Sequence, residues 1–274
     1  MNTFLAEFAS LMWGPWILFL LLGTGCWLTI CLRGIQVRQL FYSLRLTFSK
    51  EREGEGDISH FGALSTALAA TVGTGNIAGV SAAVALGGPG AIFWMWVTGL
   101  VGMATKYCEG FLAVKYRQVN HRGEISGGPM YYLEKGLGQK WLGVCFAFFG
   151  AVAAFGIGNM VQANTTVHAL NGSLGVSSFF VGGVMMLLTG MVIIGGIKRI
   201  AEVASYLVPF MVLVYFFGVL IVVLNNLDGL GAGIEMILED AFTGTAATGG
   251  FAGASLASTI RYGVARGLFS NESG

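Results

Sequence analysis

The stretch ATVGTGNIAGV, residues 70–80, sets Thr71, Gly73, Thr74, Gly75 and Asn76 in the middle of an apolar segment. None of these side chains ionises, so the chemistry on offer is that of backbone N–H and C=O groups, two hydroxyls and one amide. Gly costs about 1 kcal/mol relative to Ala inside a helix, and polar side chains at bilayer depth are unfavourable unless they face a partner or a cavity. Gly75 and Gly79 have the GxxxG spacing of helix packing, which would account for an isolated pair. Packing does not account for Val72 being the one large apolar residue among 71–76. That density predicts a short unwound stretch, tolerated in a membrane only where the freed backbone lines a buried, wet site. A half-helix N-terminus presents N–H groups and partial positive charge, suited to a carboxylate. A half-helix C-terminus presents carbonyls, suited to Na⁺ or an ammonium group. The stretch is no nucleotide fingerprint, because no strand precedes Gly73 and Gly75 and the third glycine is one residue late.

A second interruption, AFTGTAATGGFAGASLAST, covers 241–259, with Thr248, Gly249 and Gly250 at mid-depth beside the bulky Phe251. No Asp, Glu, Lys or Arg lies in either break, and neutral dipoles that bind charge suit a zwitterion accompanied by a cation. Proton coupling would more naturally supply an intramembrane carboxylate. Glu109 is read instead as an ion pair with Lys106, three residues away. The polar run GIGNMVQANTTVHAL, 156–170, adds Asn159, Gln162 and Thr166 at helical spacing. These residues either hydrogen-bond between helices or line a site, with Gln162 the better ligand candidate. The aromatic run IFWMWV, 92–97, reads as an interfacial belt.

The elements that must position these residues are set by composition. The 274 residues are 55% hydrophobic and 11% charged, against about 25% charged in soluble domains, and apolar runs of about 20 residues indicate a polytopic all-α membrane protein. Seven spans are expected, near 13–31, 61–86, 91–114, 142–170, 176–197, 203–224 and 237–260. The segment Arg33–His60 begins as an amphipathic surface helix, and 127–141 holds another. A net charge of +1 gives no sign of nucleic-acid binding. Four cysteines without a CxxC pair act as small hydrophobes. With no HExxH and three His in separate segments, nothing points to an enzyme. The N-terminus lacks a basic n-region, so the first span is expected to stay in the mature chain.

All 15 Lys and Arg fall on one side of these seven spans, whereas Glu7, Asp228, Glu235, Glu239 and Asp240 fall on the other. The positive-inside rule puts the N-terminus outside and the Gly274 end inside. Spans two and seven, five apart and oppositely oriented, then match the broken helices of an inverted repeat. The alternative is a non-transporting subunit or receptor whose Gly-rich helices serve packing alone.

The motifs GTGNIAGV, GGPGAIFWMW, GMATKYCEG, GGPMYYLEKGLG and GVARGLFSNESG resemble, in order and along essentially the whole chain, the alanine or glycine:cation symporters of bacterial and archaeal inner membranes. The resemblance implies sodium-coupled uptake of alanine or glycine by alternating access, with proton coupling in some members. It also implies the fold shared with amino acid–polyamine–organocation transporters and neurotransmitter:sodium symporters. On that fold 13–31 would be an extra first span, 61–224 the first five-helix repeat and 237–274 the start of the second. The Thr71 carbonyl and Asn76 side chain would then resemble a cation site, and the carbonyls of Ala69 and Val72 half of a second sodium site. The N–H groups of Thr74 and Gly75 would hold the substrate carboxylate. Gln162 would line the pocket, and Thr248, Gly249, Gly250 and Phe251 would close it around a small side chain. Family members continue beyond the SNE motif at 270–272, so a truncated repeat and a complementing C-terminal piece are further expectations.

Overall fold

The computed structural model describes residues 2–49, 56–119, 123, 125–243 and 256–271, and they are overwhelmingly helical. Helix α1 (Asn2–Met12) precedes α2 (Pro15–Cys31), which starts on a proline whose fixed φ suits a first turn. Arg33 (φ 55°) and Gly34 (φ 65°) then turn left-handed, and the Gly34 N–H donates back to the Thr29 carbonyl at 2.9 Å, closing α2. The expected single surface helix after Arg33 is two short ones, α3 (Ile35–Arg38) and α4 (Leu40–Thr47), separated at Gln39. Ser59 caps α5 (His60–Thr71) by accepting from the Gly62 N–H at 3.1 Å. Helix α6 (Thr74–Gly87) starts after a two-residue break, and α7 (Gly90–Lys115) after a turn at Gly88–Pro89.

A two-stranded antiparallel ladder, β1 (Gln118–Val119) with β2 (Ile125–Ser126), pairs Gln118 with Ser126 and Val119 with Ile125. It lies in a connection for which the sequence predicts no strands. Next comes α8 (Pro129–Lys135), a helix of seven residues within the 127–141 stretch for which a surface helix is expected. Helices α9 (Lys140–Ala153) and α10 (Val161–Leu174) are joined without interruption by a π-helical stretch, Ala154–Met160. Helices α11 (Ser178–Ile193), α12 (Gly196–Leu224), α13 (Leu227–Thr243) and α14 (Leu256–Asn271) complete the order.

Among the described residues, Lys140–Leu174 and Gly196–Leu224, of 35 and 29 residues, are long and apolar enough to cross a membrane. The pair α5–α6 passes the same test as one bent span. Helices α2 and α11 are apolar but shorter, and α7, with 26 residues, reaches about 39 Å at 1.5 Å per residue. The seventh expected span is two helices, α13 beginning ten residues earlier than expected and α14 extending past 260; residues 244–255 between them lie outside the described residues. Apolar side chains face outward along these helices, Phe179 being 95% exposed and Trp16 84%. Lipid, not water, suits such surfaces. The chain is a helical, multi-pass membrane protein.

Two compact units divide it. One comprises Met1–Leu40, Gly75–Tyr107 and Leu213–Gly274. Its contacts run through small residues: added Cβ atoms would meet Val101 from Gly25, the Ala241 backbone from Gly90, the Ala91 carbonyl at 2.6 Å from Gly263 and Thr98 Cβ at 2.8 Å from Gly267. Such close helix approach is how membrane helices gain contact without a hydrophobic driving force. Ala91, Ala104, Ala241, Thr259 and Val264 are fully buried here. Asp240, expected among the outer-loop acids, is also buried and accepts from the Gly90 N–H at 2.8 Å, capping α7. Trp94, expected in an interfacial belt, donates its Nε1–H to the Ala241 carbonyl at 2.9 Å, and its ring packs against Phe242.

The other unit comprises Phe41–Thr74 and Cys108–Val212. There a Cβ added to Gly62 of α5 would stand 3.6 Å from Ala201 Cβ and 3.8 Å from Ser205 Oγ, so α5 lies against the small-residue face of α12. Gly143 of α9 would bring a Cβ to 2.6 Å from the Met130 carbonyl, and Gly127 to 2.8 Å from that of Ala113. Both positions need glycine because backbone cannot retreat.

Candidate functional site

Helix α5 ends where the sequence predicts a break. Val72 takes an extended conformation (φ −86°, ψ 103°), so its peptide leaves the helix although its N–H still donates to the Leu68 carbonyl at 2.8 Å. The Thr71 hydroxyl donates back to the Ala67 carbonyl at 3.1 Å. Carbonyls in the last turn of any helix have no intrahelical partner, and Ala69, Thr71 and Val72 are placed there. After Val72 and Gly73 the chain re-enters a helix at Thr74, whose first N–H groups in turn lack intrahelical acceptors.

One of those donors is satisfied from far away in the sequence. The Gln162 side-chain oxygen accepts from the Thr74 N–H at 3.2 Å and from the Thr74 hydroxyl at 2.9 Å. A Cβ on Gly73 would stand 3.0 Å from the same oxygen, so glycine makes room for the amide. The position expected to receive a carboxylate oxygen thus faces an amide oxygen. Gln162 is the second residue of α10, directly after the π-helical stretch. A π turn shifts the angular register of the helix beyond it. Asn159, inside the stretch, is exposed, whereas Gln162 is half-buried against the break. Of the three residues expected to share one face, only Gln162 reaches Thr74; the Thr166 hydroxyl bonds back to the Gln162 carbonyl at 2.9 Å.

In the unit that contains Gly75–Tyr107, the first turn of α6 holds Gly75, buried, and Asn76, half-buried. Arg266 of α14 donates from Nη2 to the Gly75 carbonyl at 2.9 Å. From sequence, Arg266 counts only among the cytoplasmic cations. Its signal is weak: a single cation within the small-residue run GVARG. The expected site residues Thr248, Gly249, Gly250 and Phe251 lie outside the described residues.

A sequence model of the sodium:alanine symporter family matches residues 1–274. The chain belongs to that family. It is 53% identical over 271 residues to the sodium/alanine symporter AgcS of Methanococcus maripaludis, covering 97% of this chain and 59% of that protein. An uncharacterised transporter of Haemophilus influenzae is 48% identical over 274 residues, 100% of this chain and 60% of its own length. The putative sodium/proton-dependent alanine carrier protein YrbD of Bacillus subtilis is 41% identical, covering 100% and 55%. The chain therefore spans somewhat under two thirds of the length of these relatives.

Proposed function

We propose that the protein carries a small neutral amino acid, alanine or glycine, across the cytoplasmic membrane of a bacterium or archaeon together with Na⁺, by alternating access. The observation that carries this reading is the break at Val72–Gly73 with the Gln162 amide seated on Thr74. A half-buried helix restart already bound to a neutral oxygen acceptor is a place where a carboxylate can exchange for that acceptor. Thr74 and Gly75 N–H groups hold the substrate carboxylate, and Gln162 lines the same pocket. The carbonyls of Ala69, Thr71 and Val72 with the Asn76 side chain serve sodium, whose preference for oxygen ligands they meet. Thr248, Gly249, Gly250 and Phe251 close around the substrate side chain and limit its size. The family and the name of the archaeal relative support alanine and sodium, and the name of the Bacillus relative leaves protons as an alternative coupling ion. An inverted repeat, with 61–224 as its first half and 237–274 opening the second, supplies two opposed broken helices.

The deciding experiment is uptake of labelled alanine and glycine into proteoliposomes, with an inward sodium gradient, with a proton gradient, and with neither. Sodium-driven accumulation is expected. Uptake indifferent to both gradients overturns the proposal. The packing-only alternative gains from Gly90, Gly263 and Gly267, which do serve helix approach. It predicts that Asn76→Ala leaves ligand binding and uptake at the parental level, whereas the transport proposal predicts loss of both.

A further inference from the structure

Gly75 and Gly79 stand one turn apart on α6, and the side chain that covers them is Arg266 of α14. Nη2 donates to the Gly75 carbonyl at 2.9 Å. The guanidinium rests so closely on Gly79 that a Cβ there would collide with Nη2, Cζ and Nε. Both glycines are buried. The GxxxG pair thus receives a planar cation where its spacing would suggest a second helix backbone.

Electrostatics makes this choice of residue informative. The guanidinium lies over Gly79, in the second turn of α6, and reaches the first turn through the Gly75 carbonyl. A cation this near the first turn of a helix adds to the positive end of the helix dipole and is unfavourable there. An anion arriving at the N–H groups of that turn reverses the sign, because it is drawn by dipole and cation together. A residue needed only to join two helices would do so without this penalty as a neutral donor. Arg is also the cation that holds its proton most firmly and whose flat fork fits against a glycine.

Resting on the amino-acid transport reading above, we propose that Arg266 is a positioning residue for the substrate carboxylate. It fixes the first turn of α6 through the Gly75 carbonyl, and it supplies one turn further along, over Gly79, a positive charge of a kind that neither break contains in its own sequence. Gly79 is the socket that lets the guanidinium lie there.

The test uses the reconstituted protein and three substitutions. Arg266→Gln keeps a donor for the Gly75 carbonyl and removes the charge; the KM for alanine is expected to rise about tenfold, the scale of one charge near a partly buried site, with the maximal rate within about twofold. Arg266→Lys keeps the charge and is expected to hold the KM within about threefold of the parent. Gly79→Ala displaces the guanidinium, so it should raise the KM as Arg266→Gln does, and the double variant should be no worse than the poorer single one. A merely structural role predicts a lowered melting temperature and maximal rate in all variants, with Lys no better than Gln. A parental KM in Arg266→Gln, or additive losses in the double variant, overturns the proposal. Should Arg266→Gln fail to fold, the Lys and Gly79→Ala proteins carry the test, since only the second is expected to lose affinity. If the unmodified protein takes up no alanine, it is the transport reading that fails.

Discussion

Gln162 is the residue on which the break turns. Its amide oxygen accepts two hydrogen bonds from Thr74, so it does for α6 what a capping side chain does from the neighbouring sequence in other helices. Removing it with Gln162→Ala is expected to cost about 1 kcal/mol of stability and to lower alanine uptake. Gln162→Glu separates capping from binding. A carboxylate in that position makes charge-assisted bonds about twice as strong as neutral ones, so the variant should melt above the parent while its KM for alanine rises at least about tenfold. Unchanged uptake by a more stable Gln162→Glu protein would show that the amide does not occupy the anion position. The break itself was legible because five small or polar residues crowd a stretch where lipid favours bulk. Gln162 was legible as the better ligand candidate among Asn159, Gln162 and Thr166, but on a supposed regular face and without its bond to Thr74. The π-helical stretch that selects it over Asn159 leaves little mark in sequence beyond Gly156 and Gly158. Arg266 was hidden for a different reason: a charge is read as a surface marker unless something shows what lies under it.

Packing between elements shows where glycine spacing becomes a specific contact. Gly90 opens α7 against the α13 backbone, with a prospective Cβ 2.6 Å from Ala241 Cα and 2.5 Å from the Asp240 carbonyl carbon. Backbone on both sides leaves nothing to yield, so Gly90→Val should force α7 and α13 apart and cost about 1–3 kcal/mol, read as a lowered melting temperature in detergent. Asp240 holds the same junction by a hydrogen bond to the Gly90 N–H. Asp240→Asn retains an acceptor and should lose less stability than Asp240→Ala; equal losses would remove the cap from the account of this junction. On the other unit, Tyr132 of α8 has its phenol pushed above its usual value of about 10, by burial first and by the nearby Glu109 carboxylate second. A phenol that holds its proton more tightly when folded contributes stability that is intact below pH 10 and declines as the pH rises through its folded pKa. Tyr132→Phe should flatten that alkaline decline, and an unchanged pH profile would assign it to another group.

At the scale of the whole molecule, the long apolar helices and their order were readable because lipid demands runs of matching length. Their ends were read less well, because Gly196, left-handed at φ 68°, lets α12 begin seven residues before its apolar run, at the basic pair Lys198–Arg199. The same blindness to non-apolar helix affected α1 and the early start of α13, both of which carry acids. These two elements now bear on orientation. On the orientation proposed from the positive-inside rule, α1 with Glu7 and α13 with Glu235 lie on the outer side, and Lys198 at the start of α12 on the inner. Single cysteines at Thr3, Glu235 and Lys198, all exposed positions, in a protein whose four native thiols are replaced, turn this into a measurement. An impermeant maleimide applied to intact cells should label the first two, and should label Lys198→Cys only after permeabilisation. Labelling of Lys198→Cys in intact cells would invert the protein, and with it the direction in which the break at Val72–Gly73 opens. Labelling of Thr3→Cys and Lys198→Cys from the same side would instead require an even number of crossings between them, and the proposed inverted repeat would fall with the topology it is built on.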